Sequence, residues 1–463
     1  MTSTLPTRRS TDLGDRYMLA LCCVLLGYAL LGKGFAYFGY RPIFVGELIY
    51  ASGLLVLLRS GCLVALFASA PGLLLAATIG WTLSRTLPFV STYGFDALRD
   101  SVILMYGGFS FVVAAFLIED YRRIDKLVRY YRIFLDIYVP AVPILFPLSF
   151  YFQDYMPNLP GTTVSLVWIG AGEVAVHLAG AAVFALAGFR KPTPVWIACV
   201  FAGVVMASAV SRAAMLAFAI PVVLAALALG KARILLALGV GVFVLLGTSY
   251  MFETSLSDSQ EARASTERRV SSVQVVENVA SIVGQGGAQT EDTKEWREKW
   301  WRIIVDNTLR GPYFWTGRGF GVNLAVEDGF ASPHSERPLR SPHNGHMTIL
   351  ARAGIPGLAL WSVFLAAWFG ALLRAAMLAF ARRQARWAGL LLFIASYVLS
   401  CVINASFDVA LEAPMQGIWF WCLIGFGMGT TMIYRYMQGS SLWEASLTRP
   451  PLPSSARGNS PAA

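Results

Sequence analysis

The chain has 463 residues, of which 56% are hydrophobic and only 14% are charged. Soluble domains usually carry about a quarter charged residues, so this composition indicates a protein whose solvent is largely lipid. The formal net charge of +10 does not imply a nucleic-acid partner, because in a membrane protein the placement of basic residues matters more than their sum. We therefore expect no nucleic acid among its partners.

Apolar runs long enough to cross a bilayer recur along the chain. They predict an all-α polytopic membrane protein with about twelve transmembrane helices, since each span needs about 20 mostly apolar residues. A count of about ten or eleven is the alternative, because the second run is short and only Ser211 and Arg212 separate the seventh run from the eighth. The predicted helices are residues 17–38, 43–58, 62–83, 99–118, 133–151, 164–188, 194–209, 212–229, 234–252, 346–370, 387–404 and 414–436.

These helices divide the chain into five parts. Residues 1–16 form a tail, residues 17–252 the first nine helices, residues 253–345 one large helical loop, residues 346–437 the last three helices, and residues 438–463 a Pro- and Ser-rich tail expected to be disordered. Lys and Arg are concentrated in the tails and in every second connection, and they are sparse in the other short connections. The positive-inside rule then predicts that both tails are cytoplasmic and that the large loop is external.

Within the large loop, residues 292–310 predict an amphipathic helix that ends before Gly311 and Pro312. The basic residues Arg297 and Arg302 flank its apolar face. Because tryptophan favours membrane interfaces, this helix either lies on lipid headgroups or roofs a cavity and directs Arg297 into it. The apolar face contains Trp296, Trp300, Ile303, Ile304 and Leu309.

Two short polar motifs follow this helix. The sequence Gly-Arg-Gly-Phe-Gly at 317–321 predicts a tight turn, because the flanking strand and helix of a nucleotide-binding loop are missing from the pattern. The sequence His-Asn-Gly-His at 343–346 stands at the external mouth of the tenth helix. Histidine can transfer protons near neutral pH, so His343 is a candidate for acid–base chemistry. The alternative is that the His-Asn pair only caps the helix.

Ionisable residues at or inside the predicted spans are further candidates. Glu173 and His177 are four residues apart on one helix face, where they form either a structural pair or a site for a lipid, an acceptor or a proton path. Arg212 starts the eighth helix, whose N-terminal N–H groups can face an anion; snorkelling to the interface is the alternative. Arg85 lies in the third external connection and is a weaker candidate for binding a lipid carrier.

No metal or other cofactor is expected. The six cysteines all lie in apolar runs and their spacing forms no zinc or disulfide pattern. The histidines and acidic residues of the large loop also lack a standard metal-ligand spacing.

Several of these motifs together resemble the O-antigen ligase and polymerase superfamily, over roughly residues 20–430. The resemblance rests on the Ser-Arg start of the eighth helix, on an Arg with a Trp four residues later (Arg297, Trp301), on the glycine-rich motif, and on His-Asn leading into a helix with Gly354 and Gly357. It departs at Arg352, where members often have an acidic residue.

The resemblance implies a GT-C-like glycosyltransferase in the bacterial inner membrane with its site facing the periplasm. Its donor is a glycan on undecaprenyl pyrophosphate. The acceptor is lipid A-core in a ligase, which we place first, or another carrier-linked unit in an O-antigen or exopolysaccharide polymerase that uses the same donor. A transporter or flippase is the alternative of a different class. Membrane lipids are the other expected partners, and the sequence does not predict an oligomeric state.

The resemblance also assigns residues. It places the functional histidine at His343 and the functional arginines at Arg212 and Arg297, which are the candidate catalytic residues. Arginine suits a diphosphate because its planar fork contacts two oxygens and stays charged. The candidate substrate-binding residues are Asn344, His346, Arg318, Arg302, Arg85, Glu173 and His177.

Overall fold

The computed structural model describes residues 12–40, 43–60, 62, 66–234, 239, 288–331 and 339–437. Residues 1–11 of the first tail, nearly all of the predicted ninth helix, the first part of the large loop and the predicted disordered tail lie outside the described residues.

The described part is a helical bundle with one short antiparallel hairpin, β1 (Gly39–Tyr40) and β2 (Ile43–Phe44). Short 3₁₀ helices occur at Gln153–Tyr155 and Ala410–Glu412, and a π-helical turn occurs at Asp306–Arg310. The α-helices are α1 (Asp12–Leu31), α2 (Lys33–Ala36), α3 (Val45–Leu57), α4 (Ala70–Tyr93), α5 (Phe95–Met105), α6 (Gly108–Glu119), α7 (Arg123–Tyr151), α8 (Ala171–Leu186), α9 (Pro194–Val210), α10 (Arg212–Ala228), α11 (Ala288–Val305), α12 (Leu324–Glu327), α13 (Gly345–Ala381), α14 (Ala385–Ala405) and α15 (Pro414–Met437).

Every predicted transmembrane segment in the described part contains a helix, but the length of these helices does not confirm about twelve spans. Six described helices are long and apolar enough to cross a membrane: α1, α4, α7, α13, α14 and α15. A seventh span results if α5 and α6, which meet at a bend of 41°, are one broken span. The apolar helices α3, α8, α9 and α10 are shorter.

Two predicted helices, 17–38 and 164–188, are cut short because loops also contain apolar residues. The first predicted helix stops at Leu31, since Gly32 has a φ of 58° and the chain there pairs with another segment. Lys33 N–H donates to the carbonyl of Trp168 at 2.8 Å, and Trp168 N–H donates to that of Leu31 at 3.1 Å. This pairing also keeps the start of the predicted helix 164–188 extended until α8 begins.

Helix α15 lies at the centre of the bundle, between α6 and α14. Gly425 approaches α6 so closely that a Cβ atom would lie 2.5 Å from a backbone oxygen of that helix. The indole of Trp419 donates to the carbonyl of Leu25, and that of Trp421 donates to Ile103, both at 3.0 Å. Small residues and inter-helix hydrogen bonds of this kind are typical of helix packing in lipid.

Helix α13 is broken near its start, and the break shapes the site. Gly354 has φ 71° and ψ −171°, so residues 345–353 form a short half-helix that precedes a long apolar helix. The glycine-rich motif fills the break: Arg318 N–H donates to the carbonyl of Ala351 at 2.8 Å, and Gly319 N–H donates to that of Arg352 at 2.9 Å. These bonds satisfy carbonyls that a broken helix leaves without partners.

The tight turn predicted at 317–321 is confirmed. Gly317, Gly319 and Gly321 have φ values of 61°, 83° and 106°, which only glycine adopts without strain. We refer to residues 317–321 as the glycine turn.

Replacing Gly317 with alanine is expected to destabilise the protein by at least about 1–2 kcal/mol, the cost of a left-handed backbone for an ordinary residue. A Cβ atom at this position would also lie 2.3 Å from the backbone of Arg352, which cannot move aside easily. Gly370→Ala is the matched control, because it lies inside α13 with open space around it. Thermal unfolding in detergent measures both, and equal midpoints would contradict the expected packing of the turn.

Candidate active site

His343 lies immediately before the half-helix of α13 and has an unusual backbone. Its φ is 51°, a left-handed value that residues other than glycine rarely adopt and that often accompanies a functional constraint. Its Nδ1 lies 3.7 Å from a carboxylate oxygen of Asp408, and about a third of its side chain is exposed. This geometry can orient the ring and leave Nε2 accessible to a substrate.

Asn344 is the N-cap of the half-helix. Its Oδ1 accepts the N–H groups of His346 at 2.9 Å and of Met347 at 3.1 Å. The alternative reading of the His-Asn pair as a helix cap is therefore confirmed for the asparagine, while His343 stays outside the cap. The cap places the N-terminus of a helix directly beside His343.

Both ring nitrogens of His346 have protein partners. Trp361 donates its indole N–H to Nδ1 at 3.1 Å, so the ring proton belongs on Nε2, which lies 3.2 Å from the Ser406 hydroxyl. That hydroxyl lies 3.0 Å from the carbonyl of Val402 and donates to it. This chain of hydrogen bonds joins α13 to α14 and gives His346 a place in the wall of the site.

Helix α11 packs on the half-helix and covers the site. Trp300 and Ile304 are fully buried against residues that include Leu350 of α13. The indole of Trp301 donates to the carbonyl of Pro342 at 2.9 Å, directly before His343. Of the two readings of this helix, these contacts favour a roof over the site.

The predicted apolar face of α11 is correct in part. Trp296 and Trp300 make an edge-to-face contact on its inner side, whereas Ile303 and Leu309 are exposed. The α-helix ends at Val305 and a wider helical turn follows, so Leu309 does not continue the same face. Among the candidate arginines of this helix, Arg297 is half-buried, one turn before Trp301, and Arg302 is exposed.

Arg318 and Arg85 hold the glycine turn in place. Arg318 forms a buried ion pair with Asp328 at 2.6 Å, and the other oxygen of Asp328 accepts the indole N–H of Trp300 at 2.8 Å. Arg85 donates from Nε to the carbonyl of Thr316 at 2.8 Å. Both arginines therefore connect the turn to its surroundings, and we assign them a positioning role.

An ion-pair cluster around Asp100 was not predicted from the sequence. One carboxylate oxygen of Asp100 lies 2.9 Å from Arg340 and 3.0 Å from Arg352. The Arg352 side chain is only 1% exposed and that of Asp100 only 8%, so the pair is buried. Arg340 also contacts Asp96 at 3.3 Å and donates to the carbonyl of Gly321 at 2.9 Å. The cluster ties α5, the glycine turn and the half-helix together.

Of this cluster, the sequence singled out only Arg352, as a departure from the family pattern. The structure gives it a role: it neutralises Asp100 and donates to the carbonyl of Val322 at 3.0 Å. Arg340 lies three residues before His343, and this spacing was the one local signal that it could anchor the site.

The turn between α14 and α15 supplies two carboxyl groups, Asp408 beside His343 and Glu412 below the half-helix. Glu412 accepts a hydrogen bond from the Thr348 hydroxyl at 2.7 Å. Burial raises the pKa of Glu412, while the positive charge of Arg352 and hydrogen bonds from Thr348 and Ser341 act in the opposite direction. The site thus contains acidic groups next to its candidate base.

Arg212 lies at the same end of the bundle as His343. It begins α10, where the Ser211 hydroxyl accepts the N–H of Ala214 at 3.3 Å and caps the helix. The Ser400 hydroxyl donates to the carbonyl of Ala217 at 2.6 Å, which joins α10 to α14.

The two helices are antiparallel, because the end of α8 lies close both to Lys231, three residues after α10, and to Gly389 near the start of α14. Along α10, Arg212 is five residues before Ala217, and along α14, Ser406 is six residues after Ser400. Both are therefore at the end that carries the site.

Glu173 and His177 make separate contacts and do not form the predicted structural pair. The carboxylate of Glu173 accepts the N–H of Gly170 at 3.4 Å, at the start of α8 and at the same end as the site. His177 is deeper in the bundle, where Nδ1 is hydrogen-bonded to the Tyr397 hydroxyl and the ring packs on Trp419. The structure thus separates His177 from the other candidates.

The arrangement places a histidine with a carboxylate partner beside a helix N-terminus and beneath a covering helix, and an arginine-bearing helix start lies at the same end of the bundle. These groups can accept a proton and hold an anion. No curated protein matches the chain. A family model described as O-antigen ligase matches residues 197–362, which include Arg212, Arg297, the glycine turn, His343 and the break in α13. This match confirms the resemblance to the O-antigen ligase and polymerase superfamily, and it covers the segment that carries most of the candidate site.

Proposed function

We propose that this multi-pass membrane protein transfers a glycan from undecaprenyl pyrophosphate to lipid A-core, as an O-antigen ligase. We place the reaction on the periplasmic side of the inner membrane, with both termini in the cytoplasm. The family match supports an activity of the O-antigen ligase or polymerase type. The observation that carries the proposal is the contact of His343 with Asp408 beside the capped start of the half-helix.

In the proposed reaction, Nε2 of His343 accepts the proton of the acceptor hydroxyl. The hydroxyl oxygen forms a bond to the anomeric carbon of the donor sugar, and the bond from that carbon to the phosphate oxygen breaks. The electron pair of the broken bond leaves with undecaprenyl pyrophosphate. The carboxylate of Asp408 lies 3.7 Å from Nδ1 and is proposed to orient the imidazole for this proton transfer.

Arg212 and Arg297 are proposed to hold the diphosphate. Fixed cations stabilise a leaving group most where its negative charge develops. Arg212 combines its guanidinium with the N-terminus of α10, and Arg297 lies on the covering helix one turn before Trp301, which contacts Pro342. We also propose that transfer needs no metal ion, so the purified protein in vesicles is expected to remain active in EDTA.

A strain that lacks the gene, complemented with variants, tests this function through its lipopolysaccharide profile. We expect loss of the protein, or Arg212→Ala, to leave bare core with long chains still on the carrier. Arg310→Ala is the control, because Arg310 is an arginine of the large loop whose side chain is highly exposed and pairs with Asp306.

The profile also separates the other functions. Core that bears a single unit would instead indicate a polymerase, which uses the same donor. Carrier-linked glycan retained on the cytoplasmic side would indicate a flippase. An unchanged profile in the deletion strain would contradict an O-antigen function altogether.

A further inference from the structure

A cavity lies between α1, α7, α14 and α15, and His343 is not among the residues that line it. Its volume is about 270 Å³, and its lining is almost wholly apolar. Residues that line it include Cys22, Leu26, Leu127, Ile137, Phe393 and Trp419. We call it the lateral cavity, because Leu19 of α1 and Ile137 of α7 line it and are also substantially exposed on the outer surface of the bundle.

The lateral cavity belongs to the end of the bundle opposite the site. Its mouth adjoins a small pocket formed by Asp15, Arg123 and Lys126 at the beginnings of α1 and α7. Arg386, near the start of α14, contacts Asp125 of α7 at 3.7 Å, so these three helix starts lie together. The site is at the other end of α14.

The depth of the cavity matches one leaflet of a bilayer. Its lining runs from Met18 to Leu26 along α1, a rise of about 12 Å at about 1.5 Å per residue. Half of a hydrocarbon core of about 30 Å is about 15 Å. An opening at this depth faces lipid chains. Water has almost no polar partners there and cannot fill the space favourably.

The charges at the mouth are paired with one another. Asp15 forms ion pairs with Arg123, at 2.8 Å, and with Lys126, and Arg123 also contacts Glu119 at 2.8 Å. Within these contacts, two acidic side chains balance two basic ones. Because the lining of the cavity is almost wholly apolar, recognition there rests on hydrocarbon packing, in which many small dispersion contacts add up.

We propose that the lateral cavity binds one acyl chain of a membrane phospholipid, which enters between α1 and α7 from the leaflet opposite the site. The chain packs against Cys22, Phe393 and Trp419, and its headgroup stays at the level of Asp15 and Lys126. The polyprenyl chain of the proposed donor is not the occupant, because its diphosphate belongs at the other face of the membrane.

Photo-crosslinking in vesicles tests this proposal. The full-length protein is reconstituted in phosphatidylethanolamine that contains a small fraction of the same lipid with a diazirine in the middle of one acyl chain. After irradiation, mass spectrometry locates the labelled residues. We expect labels concentrated on the lining of the lateral cavity. Filling the cavity by Cys22→Phe is expected to reduce that labelling several-fold.

Cys199→Phe is the matched control, because Cys199 is also half-buried but lies on α9, outside the lining. Leu26→Phe fills the same cavity from the next turn of α1 and replaces Cys22→Phe if that variant does not fold. Labelling of the cavity lining that persists in both Cys22→Phe and Leu26→Phe would overturn the proposal. So would displacement of the label by polyprenyl phosphate but not by unlabelled phospholipid, or labelling that requires an anionic headgroup.

Discussion

Changing His343 to alanine is expected to lower the rate of glycan transfer by about 10²–10⁴-fold, the usual contribution of a general base. Initial rates in vesicles that contain carrier-linked glycan and acceptor measure this loss.

His343→Gln separates proton transfer from binding. Glutamine keeps a hydrogen-bonding side chain of similar length but does not titrate, so a base role predicts a large loss of kcat with little change in KM. Asp408→Asn should give a smaller loss, because it removes the carboxylate beside Nδ1 and leaves the imidazole in place. A full rate in His343→Gln, or a loss confined to KM, would show that the histidine only binds substrate.

The features that the sequence predicted correctly are those with a local physical cause. Apolar runs locate the helices because each helix in lipid must present a hydrocarbon surface. The glycine turn was predictable because three glycines at alternate positions permit a backbone that other residues avoid. The cap by Asn344 was one of two readings of its motif, and its signal is equally local, since an asparagine directly before a helix accepts that helix's first N–H groups.

Other features depend on partners that are distant in the chain. Arg318 was expected to bind substrate because of its charge, but a buried Asp328 takes that charge, and no spacing rule connects the two. Asp100 and Arg340 are 240 residues apart, so their pairing exists only in the fold. Helix boundaries differ for a related reason: hydropathy does not show where tertiary pairing, as at Gly32, ends a helix.

Asp100→Asn is expected to destabilise the protein by about 3–5 kcal/mol, because removing one partner of a buried ion pair leaves the other charge uncompensated. Arg352 is the charge left behind, with only 1% of its side chain exposed. Arg340 loses its better-buried partner in the same variant, and the segment that leads to His343 loses an anchor. Transfer should therefore slow as well. Unfolding in mixed detergent and denaturing surfactant measures the stability, and the vesicle assay measures the rate.

Asp96→Asn is the matched control, one turn earlier on α5. Asp96 contacts Arg340 at 3.3 Å, but its side chain is 43% exposed, and exposed ion pairs contribute at most about 1 kcal/mol. The double variant Asp100→Asn with Arg352→Met should recover part of the lost stability, because it no longer buries a charge without a partner. Equal stability of the two asparagine variants would show that the cluster does not hold the half-helix. Recovery of stability without recovery of transfer would show instead that the arginines align His343 for the reaction in addition to supporting the fold.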